Sequence, residues 1–285
     1  MNIIQSIPEM TLWSQKVHKQ GRTIGFVPTM GALHEGHLSL AVKARTFTDT
    51  TVMSIFVNPI QFGPAEDLHH YPRPIEADCA KALSAGCDAV FIPKTAEMYP
   101  GHYHTYVTVE GLSKKLCGLS RPDHFRGVTT VVLKLFNIVT PDTAFFGQKD
   151  AQQVIILRRL VEDLNIPVTI EVCPTVREAD GLAMSSRNTY LTPAERIAAP
   201  FIHKGLVGVR MLYETGERDT ARLIAAADTV FRTIPLIKKE YIEIVDMRTL
   251  NPLATISSTA LVAVACRTAE SGTRLIDNIV LGGSL

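Results

Sequence analysis

The chain has 285 residues, enough for one large domain or two ordinary ones with a sizeable core. Apolar residues make up 46% and charged residues 20%, with a net charge of +1, so nothing in the balance points to nucleic acid or an anionic membrane as partner. No apolar run is long enough for a membrane span, and Met1-Asn2-Ile3-Ile4-Gln5 lacks a basic region leading into an apolar one. The five cysteines, Cys79, Cys87, Cys117, Cys173 and Cys266, are scattered, odd in number and form no CxxC, which predicts reduced thiols in a cytoplasmic protein.

Short apolar runs at 24–27, 51–57, 89–92, 144–146 and 168–172 predict strands. Between them, 38–47, 74–85, 128–139 and 151–164 carry helical periodicity, with Pro74 suited to a first turn and Gly86 to a position just past a helix end. Alternation of this kind predicts an α/β fold, a Rossmann-like doubly wound parallel sheet covered by helices on both faces. Such sheets bind ligands beyond the carboxyl ends of their strands, where the order reverses. After about residue 175 the texture changes. Thr192-Pro193-Ala194-Glu195 is a capping-box pattern opening a long helical region to Tyr213, a second helix is predicted over 220–231, and strands over 241–246 and 261–266. The expected division is therefore a sheet domain at 1–175 and a smaller α+β domain at 176–285.

Residues 28–37, Pro28-Thr29-Met30-Gly31-Ala32-Leu33-His34-Glu35-Gly36-His37, lie where the first apolar strand feeds a helix. A helix N-terminus offers unpaired N–H groups and partial positive charge, and Gly31 and Gly36 let a phosphate approach the backbone. His34 and His37, three apart, can reach one spot and donate to phosphoryl oxygens in place of a P-loop lysine. With no third ligand nearby, a metal site is the weaker expectation, and no protein metal site is predicted.

Other polar clusters follow predicted strands. Asn58-Pro59-Ile60-Gln61 places two neutral amides at a sheet edge, suited to hydroxyl, carboxylate or amine groups or else to turn capping. In Gly147-Gln148-Lys149-Asp150 the lysine can balance phosphate charge, and Asp150 can accept from ribose hydroxyls or simply cap a helix. Either Gln152 or Gln153 could face a pocket. Residues 180–188, with Met184, Ser185, Ser186 and Arg187, form a polar loop able to close over a triphosphate. His124-Phe125-Arg126-Gly127 either adds positive charge to the pocket or caps a helix; His69 and His70 read as loop surface, and Trp13 as packing.

From these residues alone the expectation is an ATP-dependent adenylate-forming or nucleotidyl-transfer enzyme. An adenylyltransferase releasing a stable AMP conjugate would share the same turn, and a non-catalytic ATP-binding module is a second class. The near-zero charge argues against a relative of the class I aminoacyl-tRNA synthetases.

Taken in order, PTMGALHEGH (28–37), SIFVNPIQF (54–62), YPR (71–73), RPDHFRGVTTVVLKLFN (121–137), FFGQKDAQQ (145–153), DGLAMSSRN (180–188) and RLIDN (274–278) closely resemble the pantoate–β-alanine ligase family. The resemblance implies condensation of pantoate with β-alanine using Mg²⁺ and ATP, through an enzyme-bound pantoyl adenylate, with release of AMP and pyrophosphate. It implies an ATP- and pantoate-binding N-terminal domain, a C-terminal domain closing over the active site, and a homodimer. By matching position, Met30, Gly31, Ala32, Leu33, His34, Glu35, Gly36 and His37 would line the ATP site with Gly147, Gln148, Lys149, Asp150, Val176, Met184, Ser185, Ser186 and Arg187. His37 would hold the active-site role, with His34, Lys149 and Arg187 as further catalytic donors. Gln61 and Gln153 would contact pantoate, and Gln61 with Asn58 β-alanine. Gln148 departs from the Glu that relatives often carry, while Lys149 beside it is retained. Mg²⁺ would ride on the phosphates with mostly water ligands.

Overall fold

The computed structural model describes residues 1–64 and 66–285. The chain divides into two compact units, one of 1–114, 118–147 and 156–173, the other of 115–117, 148–155 and 174–285.

In the first unit, strands β1 (Asn2–Ile4), β2 (Ile24–Thr29), β3 (Thr50–Ile55), β4 (Ala89–Phe91), β5 (Thr143–Gly147) and β6 (Thr169–Cys173) form one parallel sheet in the order β1-β4-β3-β2-β5-β6. The helices in chain order are α1 (Ile7–Lys19), α2 (Glu35–Phe47), α3 (Ile75–Ser84), the short turns α4 (Thr95–Met98) and α5 (Cys117–Ser120), then α6 (His124–Val139) and α7 (Ala151–Asp163). This is the doubly wound sheet that the alternating pattern predicts. Period-two alternation sends successive side chains to opposite faces. Val27, Met53, Ile55, Val90 and Phe145 therefore pack under Leu40, Ala41 and Ala44 of α2 and Cys79 and Ala82 of α3. Their neighbours Ile24, Phe26, Val52 and Phe91 are fully buried too, and α1 and α6 pack on each other and on β2.

The chain leaves β2 toward β3, β4 and β1 on one side, and β5 and β6 lie on the other, so the order reverses between β2 and β5. The β2–β3 ladder runs to Thr29/Ile55, whereas the β2–β5 ladder has only the pairs Gly25/Thr143 and Phe26/Ala144. The sheet parts at the carboxyl ends of these two strands, the place where such folds seat ligands.

Three elements lie where the sequence shows no clear pattern. Strand β1 is an edge segment of three residues with only Ile4 buried. Helix α1 starts at an ordinary Ser6 cap but mixes its apolar face with charge. Strand β9 (Arg274–Leu281) carries Arg274, Asp277 and Asn278 within an apolar run. Pro74 sits one residue before α3, not within its first turn, while Gly86 takes the left-handed φ of 82° expected past the helix end.

The second unit holds an antiparallel sheet β7-β8-β9, built from β7 (Ile237–Asp246), β8 (Ala260–Thr268) and β9. Helices α9 (Phe201–Glu214) and α10 (Thr220–Arg232) supply Leu206, Val209, Leu223 and Ala227 to a core shared with Ile242, Ile244, Val262, Val264 and Ile279. The single long helix expected up to Tyr213 is instead two, α8 (Pro193–Ala198) and α9, because Pro200 has no N–H to continue the ladder. No helix among the described residues is long and apolar enough to cross a membrane.

The capping box at α8 does more than start a helix. Glu195 Oε2 accepts the Thr192 N–H at 3.1 Å, and Oε1 accepts those of Glu270 at 2.7 Å and Ser271 at 2.8 Å. Burial alone would raise the Glu195 pKa, but these donors outweigh it and hold the carboxyl at about 2. Its stabilising contribution is present above the ordinary value of 4.5 and is lost as pH falls toward about 2. Urea midpoints measured across that window should fall for the wild type, and Glu195→Gln should flatten the portion of the fall due to this group.

Candidate active site

Strand β2 ends at Thr29, and the chain then takes two successive left-handed residues, Gly31 at φ 83° and Ala32 at φ 51°. Alanine there is strained, so neighbours must hold it. The holder is Asp78 of α3, which is fully buried. Its Oδ2 accepts the Ala32 N–H and its Oδ1 the Leu33 N–H, both at 2.8 Å. Lys81, one helical turn on, donates to the Leu33 carbonyl at 2.6 Å. A Cβ on Gly31 would meet Asp78 Oδ2 at 2.9 Å, which explains glycine at that point. Thr29 Oγ1 accepts the Gly31 N–H at 3.2 Å and donates to the Ser54 carbonyl at 2.6 Å, tying the turn to β3.

This backbone delivers His34 to the N-cap of α2 and His37 to its third position. His34 Nδ1 accepts the Gly36 N–H at 3.2 Å, and His37 Nδ1 faces the His34 N–H at 3.4 Å. The two imidazoles thus perform the exchange that Ser and Glu perform in a capping box. A nitrogen that accepts an N–H carries no proton, so the ring proton of each histidine resides on Nε2. The rings lie 4.1 Å apart between centroids. With Nδ1 of each ring turned to the backbone, the pair places imidazole groups at a helix N-terminus, an arrangement suited to an anion.

The amide cluster lies in the turn after β3. Asn58 and Gln61 are buried around the 3₁₀ turn Pro59–Gln61. Asn58 Nδ2 lies 3.0 Å from Gln61 Oε1 and 3.1 Å from the Gly127 carbonyl, and Gln61 Nε2 lies 3.0 Å from Met30 Sδ. Tyr99, at the end of α4, reaches Asn58 Oδ1 at 2.8 Å. Helix α6 touches this turn so closely that a Cβ on Gly127 would stand 2.5 Å from the Ile60 carbonyl oxygen. His124, the first residue of α6, faces that turn. Its Nδ1–H donates to the Gln61 carbonyl at 2.9 Å, and its Nε2 accepts from Arg121 at 3.1 Å. Arg121 pairs with Glu66 at 2.5 Å; burial works to raise the Glu66 pKa, and Arg121 more than reverses it.

In the second unit, Gln148, Lys149 and Asp150 form a 3₁₀ turn. Asn278 Nδ2 donates to the Gln148 and Lys149 carbonyls, both at 2.9 Å, and its Oδ1 accepts from Gln148 Nε2 at 3.3 Å. Asp277 beside it makes a two-bond ion pair with Arg177 at 2.6 and 2.9 Å. Burial drives the Lys149 pKa down; Asp150 and Asp277 oppose that, and the charge of Arg187 adds to it. An anion would offset this cost, which suits the half-buried Lys149 to an anionic partner. Val176 and Met184 pair at 3.0 Å across a hairpin whose tip holds Gly181 at φ 95°. Ser185 Oγ caps the following turn by accepting the Arg187 N–H at 3.3 Å. Gln152 commits its amide to the Cys117 N–H at 3.0 Å and the Lys115 carbonyl at 2.6 Å, which leaves Gln153, half-buried, as the one suited to a ligand. Among the described residues no group of three or more His, Cys, Asp or Glu gathers to hold a metal.

The sequence reading passed over Asp78, Tyr99, Arg177, Asp277 and Asn278. RLIDN was visible as a motif containing Asp277 and Asn278, but a strand clamp leaves no spacing signature. Asp78 looks like any acid near a helix start.

The fold is a doubly wound α/β sheet, and its imidazole turn sits where such sheets seat ligands. The sequence profile of the family described as Pantoate-beta-alanine ligase matches residues 2–280. A pantothenate synthetase from Heliobacterium modesticaldum is 55% identical over 281 residues, spanning 99% of both chains. The crystal structure of pantothenate synthetase from Thermus thermophilus superposes with a TM-score of 0.92 at 43% identity, covering 98% of this chain and 99% of that one. The pantoate–β-alanine ligase from Francisella tularensis, complexed with β-γ ATP and β-alanine, gives a TM-score of 0.80 at 34% identity over 98% and 97%. The chain belongs to the pantoate–β-alanine ligase family, and the ligase assignment follows from full-length identity.

Removing the clamp tests the turn. Asp78→Ala strips two buried N–H groups of their acceptor and should cost about 2–4 kcal/mol in urea unfolding, with weakened nucleotide binding by calorimetry. Asp78→Asn, which keeps one acceptor oxygen, should fall between the two.

Proposed function

We propose that this chain condenses (R)-pantoate with β-alanine to pantothenate at the expense of ATP, through an enzyme-bound pantoyl adenylate. The observation that carries the reading is the His34–His37 pair at the N-terminus of α2, whose Nδ1 atoms both accept backbone N–H groups. The complex of the Francisella relative with β-γ ATP and β-alanine supports the substrates.

In the first step a pantoate carboxylate oxygen attacks the α-phosphorus in line; the P–O bond to pyrophosphate breaks as the P–O bond to pantoate forms. Catalysis here is positioning and charge stabilisation. His37 and His34 donate to phosphoryl oxygens, and Lys149 and Arg187 stabilise the charge that builds on the leaving pyrophosphate. Met30 to His37, Gly147 to Asp150, Val176 and Met184 to Arg187 form the ATP site. Gln61 and Gln153 hold pantoate, and Gln61 with Asn58 orients β-alanine. In the second step the neutral amine attacks the acyl carbon, the C–N bond forms, and AMP leaves with the C–O bond electrons. The ammonium proton is released as the amide forms.

The donor set around the turn is neutral N–H and cationic, which fits phosphate oxygens better than a bare metal. Mg²⁺ would enter on the triphosphate, sharing its charge and keeping mostly water ligands. We assign the chain to the cytoplasm as a homodimer, the dimer resting on the family. All five cysteines are buried thiols, and burial, with a neighbouring carboxylate, pushes Cys87 and Cys266 up to about 12, in keeping with a reducing compartment.

AMP formation, assayed with pantoate plus β-alanine and then with each omitted, should require both, while exchange of labelled pyrophosphate into ATP should require pantoate alone. His37→Ala and Lys149→Ala should each cut adenylation by about two orders of magnitude or more with circular dichroism unchanged. Wild-type turnover by His37→Ala would overturn the phosphate-site assignment.

A further inference from the structure

We propose that Tyr99 is a positioning residue that holds Asn58 and Gln61 in the orientation set by the Gly127 carbonyl, so that Gln61 meets the hydroxy-acid substrate as a hydrogen-bond donor. The proposal rests on the reading above that Gln61 contacts pantoate.

An amide side chain can be turned either way, and its neighbours decide which. Here the decision starts at a backbone carbonyl. Gly127 O can only accept, so the atom of Asn58 at 3.1 Å from it is the NH₂ group. That places Oδ1 toward Tyr99, and since Oδ1 can only accept, the phenol at 2.8 Å donates. The second Nδ2 hydrogen goes to Gln61 at 3.0 Å, which obliges that partner atom to be Oε1. The NH₂ of Gln61 is then the outward group, and it lies against the Met30 thioether at 3.0 Å, itself an acceptor only. Both ends of the chain terminate in acceptor-only atoms, so the sense cannot reverse without breaking bonds. Gln61 therefore offers an N–H to a carboxylate or hydroxyl oxygen.

Tyr99 is the member that can be removed without disturbing shape. Its ring sits 5.0 Å from that of Tyr103, edge to face, and 6.2 Å from that of Phe56, contacts that phenylalanine would retain. Burial, with Tyr103 and Tyr106 nearby, raises its pKa, so the phenol keeps its proton and stays a donor. Without that donor, Asn58 Oδ1 is left buried without its partner, and Asn58, 1% exposed, holds Gln61 in place with one bond fewer.

The test is a two-residue cycle on the purified full-length chain, with steady-state KM for pantoate and for ATP as readouts. Tyr99→Phe should raise the pantoate KM about tenfold and move the ATP KM by less than about twofold. Because Tyr99 acts through Gln61, adding Tyr99→Phe to Gln61→Ala should change the pantoate KM little. An unchanged pantoate KM in Tyr99→Phe, or the same factor in both backgrounds, overturns the relay. If Gln61→Ala itself leaves the pantoate KM unchanged, the Gln61 assignment is what fails, and the relay falls with it.

Discussion

The structure depends on one buried carboxylate. Asp78 accepts two consecutive backbone N–H groups, those of Ala32 and Leu33, at a point where the chain runs through two left-handed residues. A turn of that shape costs free energy by itself, because alanine resists positive φ. Two hydrogen bonds from these N–H groups to a fully buried carboxyl offset that cost. The direction in which α2 begins, and so the aim of both imidazoles, follows from that hold. A residue on α3, more than forty positions from the motif, thus sets the geometry of the motif.

The same logic recurs in the second unit with different chemistry. There the lysine-bearing turn is held by the amide of Asn278, and the adjacent Asp277 is itself locked by Arg177. In both places the groups we propose for the ligand are carried on short turns, and a side chain on a regular helix or strand fixes the backbone of the turn. Pre-organisation of this sort leaves less to be ordered when substrate binds. Breaking the Arg177–Asp277 pair would also leave a buried charge without its counterion.

The sheet, its parallel sense and the motif turns were legible because they are written in local pattern. Short continuous apolar runs, glycines at strand ends and a capping box each announce themselves within about ten residues. The strands at β2 to β6 appear in the pattern for that reason. What stayed hidden depends on distance along the chain. Asp78 and Tyr99 act on residues 46 and 41 positions away, and Asn278 on residues about 130 away, and no window of sequence connects them. The polar residues of β9 obscure the strand for the same reason: Asp277 is buried there because Arg177 neutralises it. Pro200 was visible, but the helical texture on both sides masked the break it makes.

The imidazole pair has one more consequence. Each ring uses its Nδ1 lone pair to receive a backbone N–H at the start of α2. A second proton on either ring would occupy that same lone pair, so acid and helix initiation compete for the same electrons. The site thus spends part of each imidazole on its own local architecture: the reciprocal acceptance that opens the helix uses one lone pair from each ring.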